Sequence, residues 1–89
     1  NIEDLTIRQV VVYPNPSSGV FNIDFTSQYS QNIEVKVVNI VGETIYNEQV
    51  KEFFGDYSSA INLERKSRGI YFLEIKTNKQ IFNTKLILH

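Results

Sequence analysis

Apolar and polar positions alternate along most of this chain with a period of two. Phe21, Ile23 and Phe25 are separated by Asn22 and Asp24, and Ile33, Val35 and Val37 by Glu34 and Lys36. Tyr71, Leu73 and Ile75 alternate with Phe72, Glu74 and Lys76. Ser59, Ile61 and Leu63 share a face, as do Phe82, Thr84, Leu86 and Leu88, with Ile81 and Ile87 opposite the latter. Alternation of this kind sends one set of side chains to a core and the other to solvent, the signature of a half-buried strand. The Val-rich run from Ile7 to Tyr13 and the segment 44–50 are also of strand length. The phase changes near Val38-Asn39-Ile40, which predicts a bulge or twist, and Gly42 then predicts a hairpin turn. Further turn signals fall at 27–32, at Phe54-Gly55-Asp56, at 64–69 and at Thr77-Asn78-Lys79. No window carries a helical period with a cap and a stop.

About seven short strands with turns every 8–12 residues predict an all-β fold, an antiparallel Ig-like β-sandwich. Its inner faces would carry Phe21, Ile23, Phe25, Val35, Val37, Ile61, Leu63, Tyr71, Leu73, Ile75 and Leu86. The 89 residues suffice for one small domain, expected over 6–89, with 1–5 as the end of an upstream linker. A chain of this size buries only about 60–65% of its unfolded surface, which leaves little room for a deep internal pocket.

Composition narrows function mainly by exclusion. Nine basic and ten acidic residues give a net charge of −1, no electrostatic basis for binding nucleic acid or an anionic membrane. No apolar run approaches the roughly 18–20 residues of a membrane-spanning segment. Cysteine is absent, so the fold needs no disulfide and tolerates an oxidising compartment. Methionine is absent even at position 1, which predicts a fragment or processed product, and no amino-terminal signal peptide is visible. The one histidine, His89, is the last residue, either native or appended for purification.

Candidate chemistry is sparse. Without cysteine or an internal histidine there is no triad, and the expectation is no catalytic, cofactor-binding or metal-binding residue. Ser17, Ser18, Ser58 and Ser59 read as turn and strand-end residues. Asp24 and Glu34 fall on outward faces of neighbouring expected strands, as a cross-strand carboxylate pair or as solvated residues. Glu3 and Asp4 could join Asp56 at a calcium site, although no spacing matches a calcium loop. Arg65-Lys66-Ser67-Arg68 is the densest local charge, read as an anion-binding loop or a solvated surface. Lys36, Lys76 and Lys85 read as lysines that keep strands from pairing with other chains. Phe53, Phe54 and Tyr57 flank a turn and are the candidates for an exposed contact patch.

The remaining feature is Tyr13-Pro14-Asn15-Pro16-Ser17-Ser18-Gly19, which gathers both prolines into one connection. Each proline fixes its φ, lacks a donor and restricts the residue before it. Gly19 ends the run with turn chemistry. After it come, in order, Val38-Asn39-Ile40-Val41-Gly42-Glu43, then Gly69-Ile70-Tyr71-Phe72, then Lys85-Leu86-Ile87-Leu88. Gly42 and Gly69 fit turns that require positive φ. Tyr71 fits a core aromatic with its hydroxyl on backbone, as at a tyrosine corner.

These four landmarks, at this spacing and with the last one terminal, resemble the type A C-terminal sorting domain of type IX secretion cargo proteins. The resemblance runs from about Val10 to Leu88. Glu43 stands where that family often has Lys, and His89 follows the usual apolar end. The resemblance implies a non-enzymatic secretion address in a Gram-negative bacterium, for cargo bound for the cell surface or exterior via periplasm and outer membrane. Its implied partners are the type IX translocon, a sortase-like surface peptidase and a covalently continuous upstream cargo domain. The implied signal residues are Tyr13, Pro14, Asn15, Pro16, Gly19, Gly42, Gly69, Tyr71, Lys85, Leu86, Ile87 and Leu88. A final strand at a sheet edge would offer free backbone groups to a partner sheet. The competing reading is an Ig- or fibronectin-like module that binds carbohydrate or protein, with Phe53, Phe54 and Tyr57 as its platform.

Overall fold

A computed structural model of the chain describes residues 7–89. Five antiparallel strands follow in order: β1 (Ile7–Tyr13), β2 (Val20–Asn39), β3 (Thr44–Asn62), β4 (Gly69–Lys76) and β5 (Ile81–Leu88). The all-β antiparallel class is as expected. The count is five instead of about seven, because β2 and β3 each span two of the expected strands. The expected linker, and Glu3 and Asp4 of the calcium reading, lie outside the described residues.

The signals at 27–32 and 54–56 are bends within continuous strands. The β2–β3 pairing slips between Ser27 and Ile33, at Gln31. There Ser27, 1% exposed, donates from Oγ to the Tyr29 carbonyl and accepts from Gln31 Nε2. On β3, Glu52 has φ 52° and Gly55 φ 100°, and the Glu52 N–H donates to Asn32 Oδ1. An extra residue in one strand of a pair increases the local twist, so the ribbon turns over without ending.

The bend makes two layers from one ladder. One is β1, the first half of β2 and the second half of β3; the other is β5, β4, the second half of β2 and the first half of β3. The buried β2 residues, Phe21, Ile23, Phe25, Ser27, Ile33, Val35 and Val37, keep one parity across the bend. On β3 the inward parity switches at the bulge: Tyr46, Glu48 and Val50 oppose core residues before it, Tyr57 and Ile61 after it. All eleven expected inner-face residues belong to one core cluster, joined by Ile7, Ile33, Tyr57 and Leu88. The expected phase change is present as a pairing slip between Val37 and Val38.

Candidate functional site

The landmarks, far apart in sequence, form one band across an end of the molecule. Its centre is the β4–β5 pair, where Gly69 lies opposite Leu88 and Tyr71 opposite Leu86. On the other side of β4, Tyr71 faces Asn39 of β2. Asn39 begins the tight turn into β3: its Oδ1 accepts from the Val41 and Glu43 N–H groups and its Nδ2 donates to Glu43 Oε1. Gly42, with φ 88°, supplies the left-handed residue of that turn. Glu43, the departure from the family pattern, is thus built into the turn.

The proline run closes the band on the far edge of β5. Ser17 makes a parallel bridge to Leu88: its N–H donates to the Ile87 carbonyl and its carbonyl accepts from the His89 N–H, each at 2.9 Å. Two residues earlier, the Asn15 side chain does the same work. Its Nδ2 donates to the Lys85 carbonyl at 2.8 Å and its Oδ1 accepts from the Ile87 N–H at 3.0 Å. A carboxamide has the donor and acceptor of a peptide group, so Asn15 and Ser17 together act as a short extra strand. Pro14 and Pro16 flank Asn15, where a missing N–H costs nothing to this pairing. Both X–Pro bonds of the run are cis.

This corrects the expected free terminal edge. β5 does end the strand order, but its outer backbone groups at Lys85, Ile87 and His89 are already bonded. Asn15→Ala removes one donor and one acceptor at an exposed site where water substitutes in part. The expected cost is about 1–2 kcal/mol, read by thermal melting, with faster exchange of the Ile87 amide hydrogen.

The other motif residues serve mainly as structure. Tyr71 is buried and donates its hydroxyl to the Ser67 carbonyl at 2.7 Å, the tyrosine-corner arrangement expected for it. Leu86 and Leu88 are core residues, whereas Lys85 and Ile87 point outward. Gly69 has φ 143°. Gly19 is buried, and a Cβ there would sit 2.3 Å from Glu64 Cγ. Gly19→Ala is therefore expected to be destabilising by about 1 kcal/mol in the native background and near neutral with Glu64→Ala, a double-mutant cycle read by denaturant melts.

Ser17, Ile70, Phe72 and Arg68 stand outside the implied signal residues, although the sequence marks Ser17 as a turn residue, Ile70 and Phe72 as part of a landmark and Arg68 as part of the basic loop. Arg68 ties the loop 63–68 to the proline run by donating to the Ser18 carbonyl at 2.9 Å. Ile70 and Phe72 were visible as apolar residues at outward positions of an alternating strand.

The remaining candidate chemistry resolves into separate polar contacts. Asp24 and Glu34 lie ten residues apart on the same strand, not across a pair. Asp24 accepts from the Ser58 and Tyr13 hydroxyls, each at 2.7 Å, and these bonds hold its carboxyl below the usual range. Bonds from Asn47 and then Gln49 lower Glu34 likewise. No group of three or more His, Cys, Asp or Glu that could hold a metal occurs among the described residues. Of the suspected aromatic platform, Phe54 is exposed and Phe53 partly so, but Tyr57 is buried and stacked on Phe25 with centroids 4.5 Å apart. Among the described residues no helix is long and apolar enough to cross a membrane.

Comparison with known families now bears on this band. The family described as secretion system C-terminal sorting domain matches residues 11–89. The chain belongs to that family. No curated protein matches it. Membership in this type IX sorting family makes the chain a C-terminal sorting signal, implying engagement with the secretion machinery and export from a Gram-negative bacterium to the surface or exterior. The match begins at Val11, within β1, and takes in every landmark of the sorting domain's band.

Proposed function

We propose that this domain is the non-catalytic address that carries an upstream cargo through the type IX outer-membrane translocon, after which a sortase-like surface peptidase cleaves it away. The band itself carries this reading. Four motifs separated by up to 72 residues meet at one end, which gives a composite surface. Cleavage would fall at or before β1, in or upstream of 1–6. In this reading Lys85, Ile87 and Gly69-Ile70 present the recognised surface, buried Tyr71 fixes that segment from beneath, and Pro14, Asn15, Pro16 and Gly19 hold the terminal strand in place. The competing carbohydrate- or protein-binding reading keeps Phe54 and part of Phe53 but loses Tyr57 from its platform.

The test is a fluorescent reporter with a periplasmic signal peptide, fused ahead of residues 1–89 in a host with the type IX system. Export of the reporter, with loss of the domain from the mature product, is the expected result. Retention of the intact fusion in the periplasm would sink the proposal.

A further inference from the structure

The outer face of the β2–β4–β5 layer divides into two unlike halves. Toward one end the outward residues are mostly polar: Glu34, Lys36, Glu74, Lys76 and Asn83, with Lys36 and Glu74 paired at 3.6 Å and Ile81, opposite Lys76, the apolar exception. That is the normal state of a solvated face. Toward the band the same outward positions turn apolar. Ile70 lies opposite Ile87, and Phe72 lies between Val38 and Lys85. The surface continues onto the turn with Ile40 and Val41, 72% and 74% exposed. Ile40, Val41 and Ile70 share a shallow cleft with Lys66 and Arg68.

Contiguous exposed apolar side chains rimmed by charge mark interaction surfaces. The rim here has one dominant sign. Lys85 stands beside Phe72, and Lys66 and Arg68 stand beside Ile70; of the nearby carboxylates, Glu43 is held by Asn39 and Glu64, in the loop with Lys66, accepts from Asn62. The outer edge of β5 is occupied by Asn15 and Ser17, so an incoming chain meets side chains here, not free ladder groups. We infer that this apolar end is a face-on docking surface for an outer-membrane partner protein that presents an apolar strip flanked by carboxylates. The inference rests on the sorting reading and specifies how the domain is read.

The experiment follows export of the reporter fusion carrying Phe72→Ser with Ile87→Ser, or Lys66→Glu with Lys85→Glu. The control is Val11→Ser with Ile81→Ser, two exposed apolar residues outside the patch. All altered side chains are outward, so melting of the purified domains is expected to stay close to the parent. Each patch variant is expected to lower export about tenfold or more, the scale of losing an interface anchor, while the control exports normally. Normal export of the Phe72/Ile87 variant overturns the docking surface, and normal export of the charge-reversed variant overturns the acidic partner. A dimer of the parent domain in sedimentation that the Phe72/Ile87 changes dissolve would assign the patch to a second copy and also overturn it. If the parent fusion itself stays in the periplasm, the sorting reading fails and this inference with it. Export of the parent and the patch variant alike rejects this inference alone.

Discussion

Removal of residues 85–89 is expected to unfold the domain, not merely to erase its address. The deletion takes Leu86 and Leu88, 0% and 1% exposed, out of the core. It also takes the strand that covers Gly69-Ile70-Tyr71-Phe72 and the partners of Asn15 and Ser17. Truncating one buried leucine to alanine costs about 2–5 kcal/mol, against a total stability of about 5–15 kcal/mol, with a small domain at the low end. Losing both leucines and their ladder exceeds that margin. The predicted circular-dichroism result is no cooperative melt for the deletion. A Leu86→Ala chain should still melt cooperatively but roughly 8–40 °C lower, from about 2–5 kcal/mol at about 4–8 °C per kcal/mol. Lys85→Ala, outward and exposed, should stay within about 0.5 kcal/mol of the parent. A native-like melt for the deletion would show that β5 is dispensable for folding. Loss of export on terminal deletion therefore reports folding and recognition together, and only outward substitutions such as Lys85→Ala separate them.

Much of this architecture is legible in the sequence because burial follows a local period. The odd-numbered apolar residues of β2 and β4, apart from Tyr29 at the bend, and the even-numbered Leu86 and Leu88 at the end of β5 reach the core. The strand count is not legible, because a turn and a bend use the same residues. Ser27, Gln31 and Gly55 carry polar and glycine signals that end strands elsewhere, but here the backbone continues through a pairing slip. The order of the four landmarks identifies the family from sequence, yet not their meeting. Nothing local to Asn15 says that its amide will bond to Lys85 and Ile87 some 70 residues away. The outward Phe72 is the converse case. Its placement was readable from the alternation with Leu73, but its meaning emerged only when Ile70, Ile87 and Val38 proved to be its neighbours.

Tyr57→Ala is expected to be as damaging as a core truncation, although Tyr57 sits three residues from the exposed Phe54. The ring stacks on Phe25 at an interplanar angle of 14°, and Phe53 meets both rings edge-on. Its hydroxyl donates to Glu48, the one carboxylate that faces inward from the first half of β3. Truncation removes the stack and leaves Glu48 with a lost donor, so a cost of about 3–5 kcal/mol is predicted from large aromatic deletions. Phe54→Ala should fall within about 0.5 kcal/mol of the parent. Denaturant melts compare the two directly, and near-equal costs would refute the burial of Tyr57. Tyr57→Phe isolates the hydroxyl. Burial, then the bond to Glu48, pushes the phenol above its ordinary value. A group whose pKa rises on folding contributes stability that is complete below its unfolded pKa and declines as pH climbs toward the folded one. Above pH ~10 the parent should therefore lose stability with rising pH more steeply than Tyr57→Phe. Parallel alkaline slopes for the two chains would mean that the phenol is as easily ionised in the fold as out of it.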